Sequence, residues 1–137
     1  HHHAASIMPY CMGGRTLCAL SQTGAWMGSV VPLWDSRNRF GDTAMLVNDM
    51  DQADDLAATL GDRRLVLMRG HGALVTGTSI EDMTFRAVYA CREADTLTAG
   101  LQIGSFMPLS EGEITRAEKL SSAAIARAWS HWTALLK

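Results

Sequence analysis

Two short apolar runs bracket a glycine-flanked histidine, and this feature most narrows the fold. Leu65-Val66-Leu67-Met68 has no polar residue and is closely bounded by turn signals, so it reads as a buried strand rather than a helix. Arg69-Gly70-His71-Gly72 follows, and Ala73-Leu74-Val75-Thr76 reads as a second strand. Ser79 then opens the clearest helix. It is an N-cap candidate with Asp82 three residues on, and Ile80, Met83, Ala87, Ala90/Cys91, Ala94, Leu97 and Leu101 recur at helical spacing to about Ile103. Upstream, an acidic first turn after Asn48 or Asp49 predicts another helix, with Ala53, Leu56, Ala57 and Leu60 on one face and Gly61 as the stop. Ser110 with Glu113 repeats the capping signal for a helix carrying Ile114, Ala117, Leu120, Ala124 and Ile125. The tail from Ala128 to Leu136, with Trp129 and Trp132, reads as helical. Ser29 to Trp34 reads as a strand with Pro32 at an edge or end, Asp35 to Thr43 as a loop, and Ala5 to Tyr10 as a short helix or turn ended near Gly13-Gly14. Strands early and long helices late predict an α/β fold with a mostly antiparallel sheet.

Composition excludes several classes. A length of 137 residues suits one domain, and 47% hydrophobic against 19% charged residues supplies a core. A net charge of -2 lacks the basic surplus that phosphate backbones demand, so no nucleic-acid partner is expected. No apolar run approaches the roughly 20 residues of a membrane span, and the start has no signal-peptide pattern. Cys11, Cys18 and Cys91 are odd in number with no C-x-x-C, which fits neither a disulfide framework nor a cysteine zinc site. The expectation is a cytoplasmic protein. Trp26, Trp34, Trp129 and Trp132 suggest apolar surface for another subunit to cover.

The chemistry rests on histidines. Glycines on both sides of His71 allow a tight turn and leave the imidazole unshielded, which suits a metal ligand, an acid/base group, or a turn histidine bonded to a nearby carbonyl. The chain opens His1-His2-His3 without an initiating Met, and a terminal run of this kind, taken alone, reads as an expression tag. In an extended segment, however, His1 and His3 project to one face and can grip one ion. A third imidazole from another strand makes the open three-ligand arrangement used by catalytic zinc.

The stretch Leu67 to Gly77, then Ser79-Ile80-Glu81-Asp82 and Phe85-Arg86-Ala87-Val88-Tyr89, resembles the class II aldolase/adducin family, in which a strand ends in R-G-H-G, another follows, and a helix opens with S-x-E-[DE]. His1-His2-His3-Ala4-Ala5-Ser6 is similar to that family's H-x-H-[AP]-x-S segment. Trp34-Asp35-Ser36-Arg37, Gly41-Asp42-Thr43 and the ending Arg127-Ala128-Trp129-Ser130-His131-Trp132 are similar to a branch of decarboxylases acting on hydroxylated aromatic acids. The resemblance covers the chain from His1 to about Trp132. It implies a three-layer α/β/α fold with a mostly antiparallel central sheet. It also implies that His1, His3 and His71 hold a zinc or manganese ion while His2 points away. The family's segment upstream of H-x-H carries a catalytic acidic residue, so residues 1–137 are expected to be the C-terminal portion of a single domain of this family.

Retro-aldol cleavage and decarboxylation share one hard step, because breaking the carbon–carbon bond leaves an electron pair on carbon that a Lewis acid on the adjacent oxygen can take up. The resemblance implies a decarboxylase of a hydroxylated aromatic or related acid. A sugar-phosphate aldolase or epimerase comes second, and a non-catalytic adducin-like interaction module third. It also implies a small-molecule substrate and a homotetramer with sites between subunits. Arg37 is a candidate for pairing with a substrate carboxylate, against a solvated loop role. Arg69 reads as structural, tying down a neighbouring loop or subunit. His131 reads as surface or packing, Tyr89 as core or interface, and Cys91 as a small hydrophobe.

Overall fold

The computed structural model describes residues 1–136. The two apolar runs form an antiparallel hairpin of β2 (Leu65–Met68) and β3 (Gly72–Val75), in register from Leu65 opposite Val75 to Met68 opposite Gly72. The connecting turn closes with the His71 N–H donating to the Met68 carbonyl at 3.0 Å. Its third residue, Gly70, has φ +66°, a left-handed conformation that glycine adopts without steric cost. On the other edge of β2 lies β1 (Leu33–Trp34), which runs parallel to it. Parallel neighbours need a crossover of a dozen residues or more. Here the crossover carries α1 (Arg37–Phe40) and α2 (Met50–Leu60), the latter capped by the Asp49 side chain accepting from the Gln52 N–H and ended at Gly61, φ +58°.

Alternation along the strands sorts the core into two faces. Leu65, Leu67, Ala73 and Val75 join Ala90, Ala94 and Leu97 of α3 (Ile80–Ile103). Val66 and Met68 join Trp34 and Leu56 of α2. The sheet is thus sandwiched between α2 and α3, the three-layer arrangement expected, and β1 is the one parallel neighbour in it. After α3 come α4 (Glu111–Ala117), opened by a full Ser110/Glu113 capping box, and α5 (Ser122–Ala134). No helix among the described residues is long and apolar enough to cross a membrane.

Several local expectations are corrected. The strand expected over 29–34 shrinks to two residues: the Val31 N–H goes to the Leu17 carbonyl at 2.9 Å and Pro32 has no N–H to give, so the ladder starts only at Leu33. The expected loop 35–43 contains the single turn α1, whose Arg37 N–H donates to the Asp35 carboxylate at 3.1 Å. At the start of α3, Ile80 and Met83 are exposed, and Asp82 and Phe85 are buried instead. The helix expected from Ser110 onward breaks between Ala117 and Ser122, where two serines favour a cap over a helix interior. Trp26 and Trp34 are buried within the chain itself, Trp34 donating to the Asp55 carboxylate at 2.8 Å, so only Trp129 and Trp132 remain half-exposed.

Two buried carboxylates on α3 hold loops in place. Glu93 accepts from the Leu20 and Ser21 N–H groups at 2.7 and 3.1 Å and from the Ser21 hydroxyl. Asp82 accepts from the Thr78 N–H at 2.9 Å and from Arg86 Nε at 2.8 Å. Burial alone would raise the Asp82 pKa, but the Thr78 N–H and the Arg86 guanidinium outweigh it and hold the carboxyl below its usual range. The stabilisation is therefore fully present above the ordinary carboxylate pKa of about 4 and is lost as pH falls through the depressed value. Asp82→Asn is expected to lower stability by about 1–2 kcal/mol at pH 7. In thermal melts across pH the gap to wild type should close below about pH 4. A gap that persists into acid would assign the loss to packing.

Candidate metal centre

The first three residues add to the free edge of β3. The His2 N–H donates to the Ala73 carbonyl and the Ala73 N–H to the His2 carbonyl, both at 3.0 Å, forming an antiparallel bridge. Alternation then sends the His2 ring to one side and the His1 and His3 rings to the other. Burial pushes the His2 pKa down, with a smaller contribution from His3.

His71, at the end of the Gly70 turn, meets the other two rings. Ring centroids lie 4.6 Å apart for His1–His3, 4.7 Å for His1–His71 and 4.9 Å for His3–His71. One nitrogen from each ring can be chosen so that all three lie within 4.8 Å of one another. The Nε2 atoms of His1 and His3 are 3.2 Å apart. A tetrahedral ion with bonds of about 2.0–2.1 Å to nitrogen needs ligand atoms about 3.3 Å apart, so this pair already sits at the edge length of such a site. His71 Nδ1 is buried with no hydrogen-bond partner among the described residues. The residues present fit a divalent ion held by His1, His3 and His71, with neutral imidazole suiting zinc and its first-row neighbours.

Close backbone approach makes the cluster possible. A Cβ on Gly72 would lie 2.5 Å from the His2 carbonyl oxygen and 2.6 Å from His3 Cδ2, so only glycine lets the first strand lie this near β3. Cys11, in the 3₁₀ turn Met8–Met12, clamps the same turn from behind. Its carbonyl accepts from the Gly70 N–H at 2.8 Å and its thiol donates to the Gly72 carbonyl at 3.0 Å. Burial pushes the Cys11 thiol up, which keeps it a neutral donor rather than a thiolate ligand. Nothing in the spacing of the cysteines signals this role.

Arg69 forms an ion pair with Asp35 at 3.0 Å, fastening the turn to the start of α1 within the chain. Arg37 takes the same carboxylate at 2.7 Å. Arg37, ahead of Arg69, holds the Asp35 carboxyl far below the usual range. Thus the Arg37 guanidinium is engaged by Asp35, and Arg37 is not among the residues lining the cavity beside the imidazoles. His131 is exposed on α5, Tyr89 stacks on Phe85 at 4.3 Å between centroids, and Cys91 is half-buried against the α3 side of the core.

The cavity is a groove of about 540 Å³ with His1 and His71 in its wall. Leu46, Ala53, Leu56, Ala57, Leu60 and Leu74 supply most of the rest. The expected apolar face of α2 is only half used by the core, and the remainder lines this groove.

Residues 1–97 match the family described as Class II Aldolase and Adducin N-terminal domain. The chain is 26% identical over 156 aligned positions to the decarboxylase tropJ of Talaromyces stipitatus, covering 96% of this chain and 58% of that protein. Its fold is similar to that of an aldolase II superfamily protein from Pseudomonas syringae, with a TM-score of 0.71 and 19% identity over 98% of this chain and 52% of that one. It is also similar to YgbL from Escherichia coli, which is provisionally assigned as an aldolase/epimerase/decarboxylase, with a TM-score of 0.62 and 22% identity over 87% of this chain and 56% of that one. The chain therefore spans between 52% and 58% of the length of these relatives. With the family match running over more than two-thirds of its residues, the chain belongs to the class II aldolase and adducin N-terminal domain family.

Proposed function

We propose that this chain carries the metal centre of a divalent-metal-dependent carbon–carbon lyase, with decarboxylation of a hydroxylated aromatic or related carboxylic acid as the preferred reaction. The observation that carries the proposal is the convergence of His1, His3 and His71. A decarboxylase among the relatives supports the choice of reaction. A divalent ion in this site supplies a Lewis acid for the electron pair left when a carbon–carbon bond breaks beside an oxygen-bearing carbon. The chain's own part is to present three imidazole nitrogens, two from the first strand and one from the glycine turn. The Cys11 clamp and the Arg69–Asp35 ion pair hold the His71 turn still while substrate enters and leaves. The groove gives one side of the site a largely aliphatic wall.

Metal analysis of the purified chain is expected to find about one zinc or manganese per molecule. His71→Ala should lower affinity by more than the roughly 10–100-fold that losing an outer-sphere partner costs. Retention of metal by that variant sinks the site; absence of metal in the wild type favours a non-catalytic scaffold role. Incubating the full-length, metal-loaded enzyme with dihydroxyphthalate and, separately, with a ketose phosphate separates the reactions. Carbon dioxide from the first supports the decarboxylase reading, and cleavage of the second alone moves it to an aldolase. The reading includes a homotetramer, which sedimentation velocity measures directly.

A further inference from the structure

We infer that Tyr10 is a positioning residue for the three-imidazole cluster: by bonding to α3 it fixes His1 and His3 in place against His71. The inference rests on the metal-centre reading above and goes further by naming the side chain outside the cluster that sets how well it is preformed. Tyr10 is 3% exposed, and its hydroxyl lies 2.9 Å from the Thr98 hydroxyl and 3.2 Å from the Ala94 carbonyl. Thr98 itself donates to the Ala94 carbonyl at 2.9 Å. Removing the phenol oxygen therefore leaves both helix groups paired, and what is lost is a fixed point rather than a partner for a buried donor or acceptor.

Two connections run from that point to the imidazoles. One follows the backbone. The Ala4 carbonyl accepts from the Ile7 and Met8 N–H groups at 3.0 and 3.2 Å, and the Ile7 carbonyl from those of Tyr10 and Cys11 at 3.0 and 3.3 Å. These turns share residues, and Pro9 fixes its own φ within them, so the segment between His3 and Tyr10 is stiff. The other connection crosses to the glycine turn. Next to Tyr10, Cys11 accepts from the Gly70 N–H and donates to the Gly72 carbonyl, on either side of His71. One short turn thus ties both groups of ligands to α3 at Ala94 and Thr98. Ala94 is fully buried in the core it shares with Leu65, Leu67 and Ala73, so this support is rigid relative to the sheet. The first strand meets β3 at the isolated His2–Ala73 bridge, and a single bridge needs a second anchor to hold three ligands to within about 0.5 Å.

The test compares the full wild-type chain with Tyr10→Phe, which keeps the buried ring and deletes only the hydroxyl. In competition titrations against a chelator, Tyr10→Phe should bind zinc about 3–10-fold more weakly, less than the roughly 10–100-fold cost of losing a group bonded directly to a ligand. Amide hydrogen exchange of the metal-free proteins reads the same anchor without an ion. The Gly70 and Ala73 N–H groups, bonded to the Cys11 and His2 carbonyls, should exchange about tenfold faster in Tyr10→Phe. The Leu67 and Arg69 N–H groups, bonded to Pro32 and Trp34 on the other edge of β2, should keep their wild-type rates. Thr98→Val leaves the Ala94 carbonyl as an acceptor for the phenol and should give smaller changes, and adding it to Tyr10→Phe should change nothing further. A wild type without zinc whose Gly70 and Ala73 amides still quicken selectively in Tyr10→Phe retires the metal-centre reading and leaves the anchor standing. The positioning role is overturned if Tyr10→Phe binds zinc as tightly as wild type or if Gly70 and Ala73 keep their rates. It is equally overturned if Leu67 and Arg69 quicken as much as they do, because Tyr10 then stabilises the fold as a whole.

Discussion

Gly72→Ala is expected to abolish stoichiometric metal binding although it touches no imidazole nitrogen. The added methyl would sit 2.5 Å from the His2 carbonyl oxygen and 2.6 Å from His3 Cδ2, and one of those contacts is backbone and cannot swing aside. Relief requires the first strand to move off β3, which stretches the two His2–Ala73 hydrogen bonds and carries His1 and His3 away from His71. Overpacking of this kind costs about 1–3 kcal/mol of stability. The effect on metal content should be far larger than that number suggests, because displacement by a bond length already separates His1 and His3 from His71 in a site whose three ligand atoms lie within 4.8 Å of one another. Gly100→Ala is the matched control. That position is inside α3 and its nearest neighbour to an added Cβ is Phe106 Cβ at 4.0 Å, so alanine should stabilise by about 0.5–1 kcal/mol and leave metal content alone. Unchanged metal content in Gly72→Ala, measured by elemental analysis after dialysis, would mean that strand contact does not assemble the centre.

The largest effect on stability is expected at Glu93, a carboxylate 3% exposed in the middle of α3. It takes the Leu20 and Ser21 N–H groups and the Ser21 hydroxyl, and no cation among the described residues shares it. Gly24 sits against it so closely that a Cβ there would overlap the carboxylate. Glu93→Ala leaves the part-buried Leu20 and Ser21 N–H groups without their acceptor, each worth about 1–3 kcal/mol, and opens a cavity besides, while the Ser21 hydroxyl keeps the Thr23 hydroxyl at 3.0 Å. A loss of about 3–5 kcal/mol follows, or a fall in melting temperature on the order of 10–15 °C for a chain of this size. Glu93→Gln keeps the volume and one acceptor oxygen and should lose less. A melting temperature for Glu93→Ala within about 2 °C of wild type would show that the loop holds without its anchor.

The sequence carried little sign of that anchor. Glu93 stands beside Ala94 on a helix whose apolar stripe was legible, and a period of 3.6 has no way to mark a buried carboxylate whose partners lie 73 residues away. The same limit explains why Ile80 and Met83 were placed in the stripe while Asp82 and Phe85 hold the buried positions. The caps at Ser79 and Ser110 are readable because they are local: each side chain accepts from a backbone N–H three residues on. The strand is shorter than the apolar run over 29–34 because hydrophobicity signals burial, whereas a ladder also needs N–H groups free to pair, and Val31 spends its own on Leu17.

For the centre itself, the residue types and the alternation of His1 and His3 are properties of the chain, since spacing along an extended backbone settles which side chains share a face. So are the glycines around His71, without which the turn and the close approach are sterically closed. That the two segments meet is decided by tertiary structure alone. Seventy residues of intervening chain must fold before the first strand finds the edge of β3, and what aligns it there is hydrogen bonding across the sheet together with the Cys11 clamp. The groove belongs to the same category. Its aliphatic residues are ordinary core candidates by pattern, and only the placement of α2 against the sheet sets them beside the imidazoles.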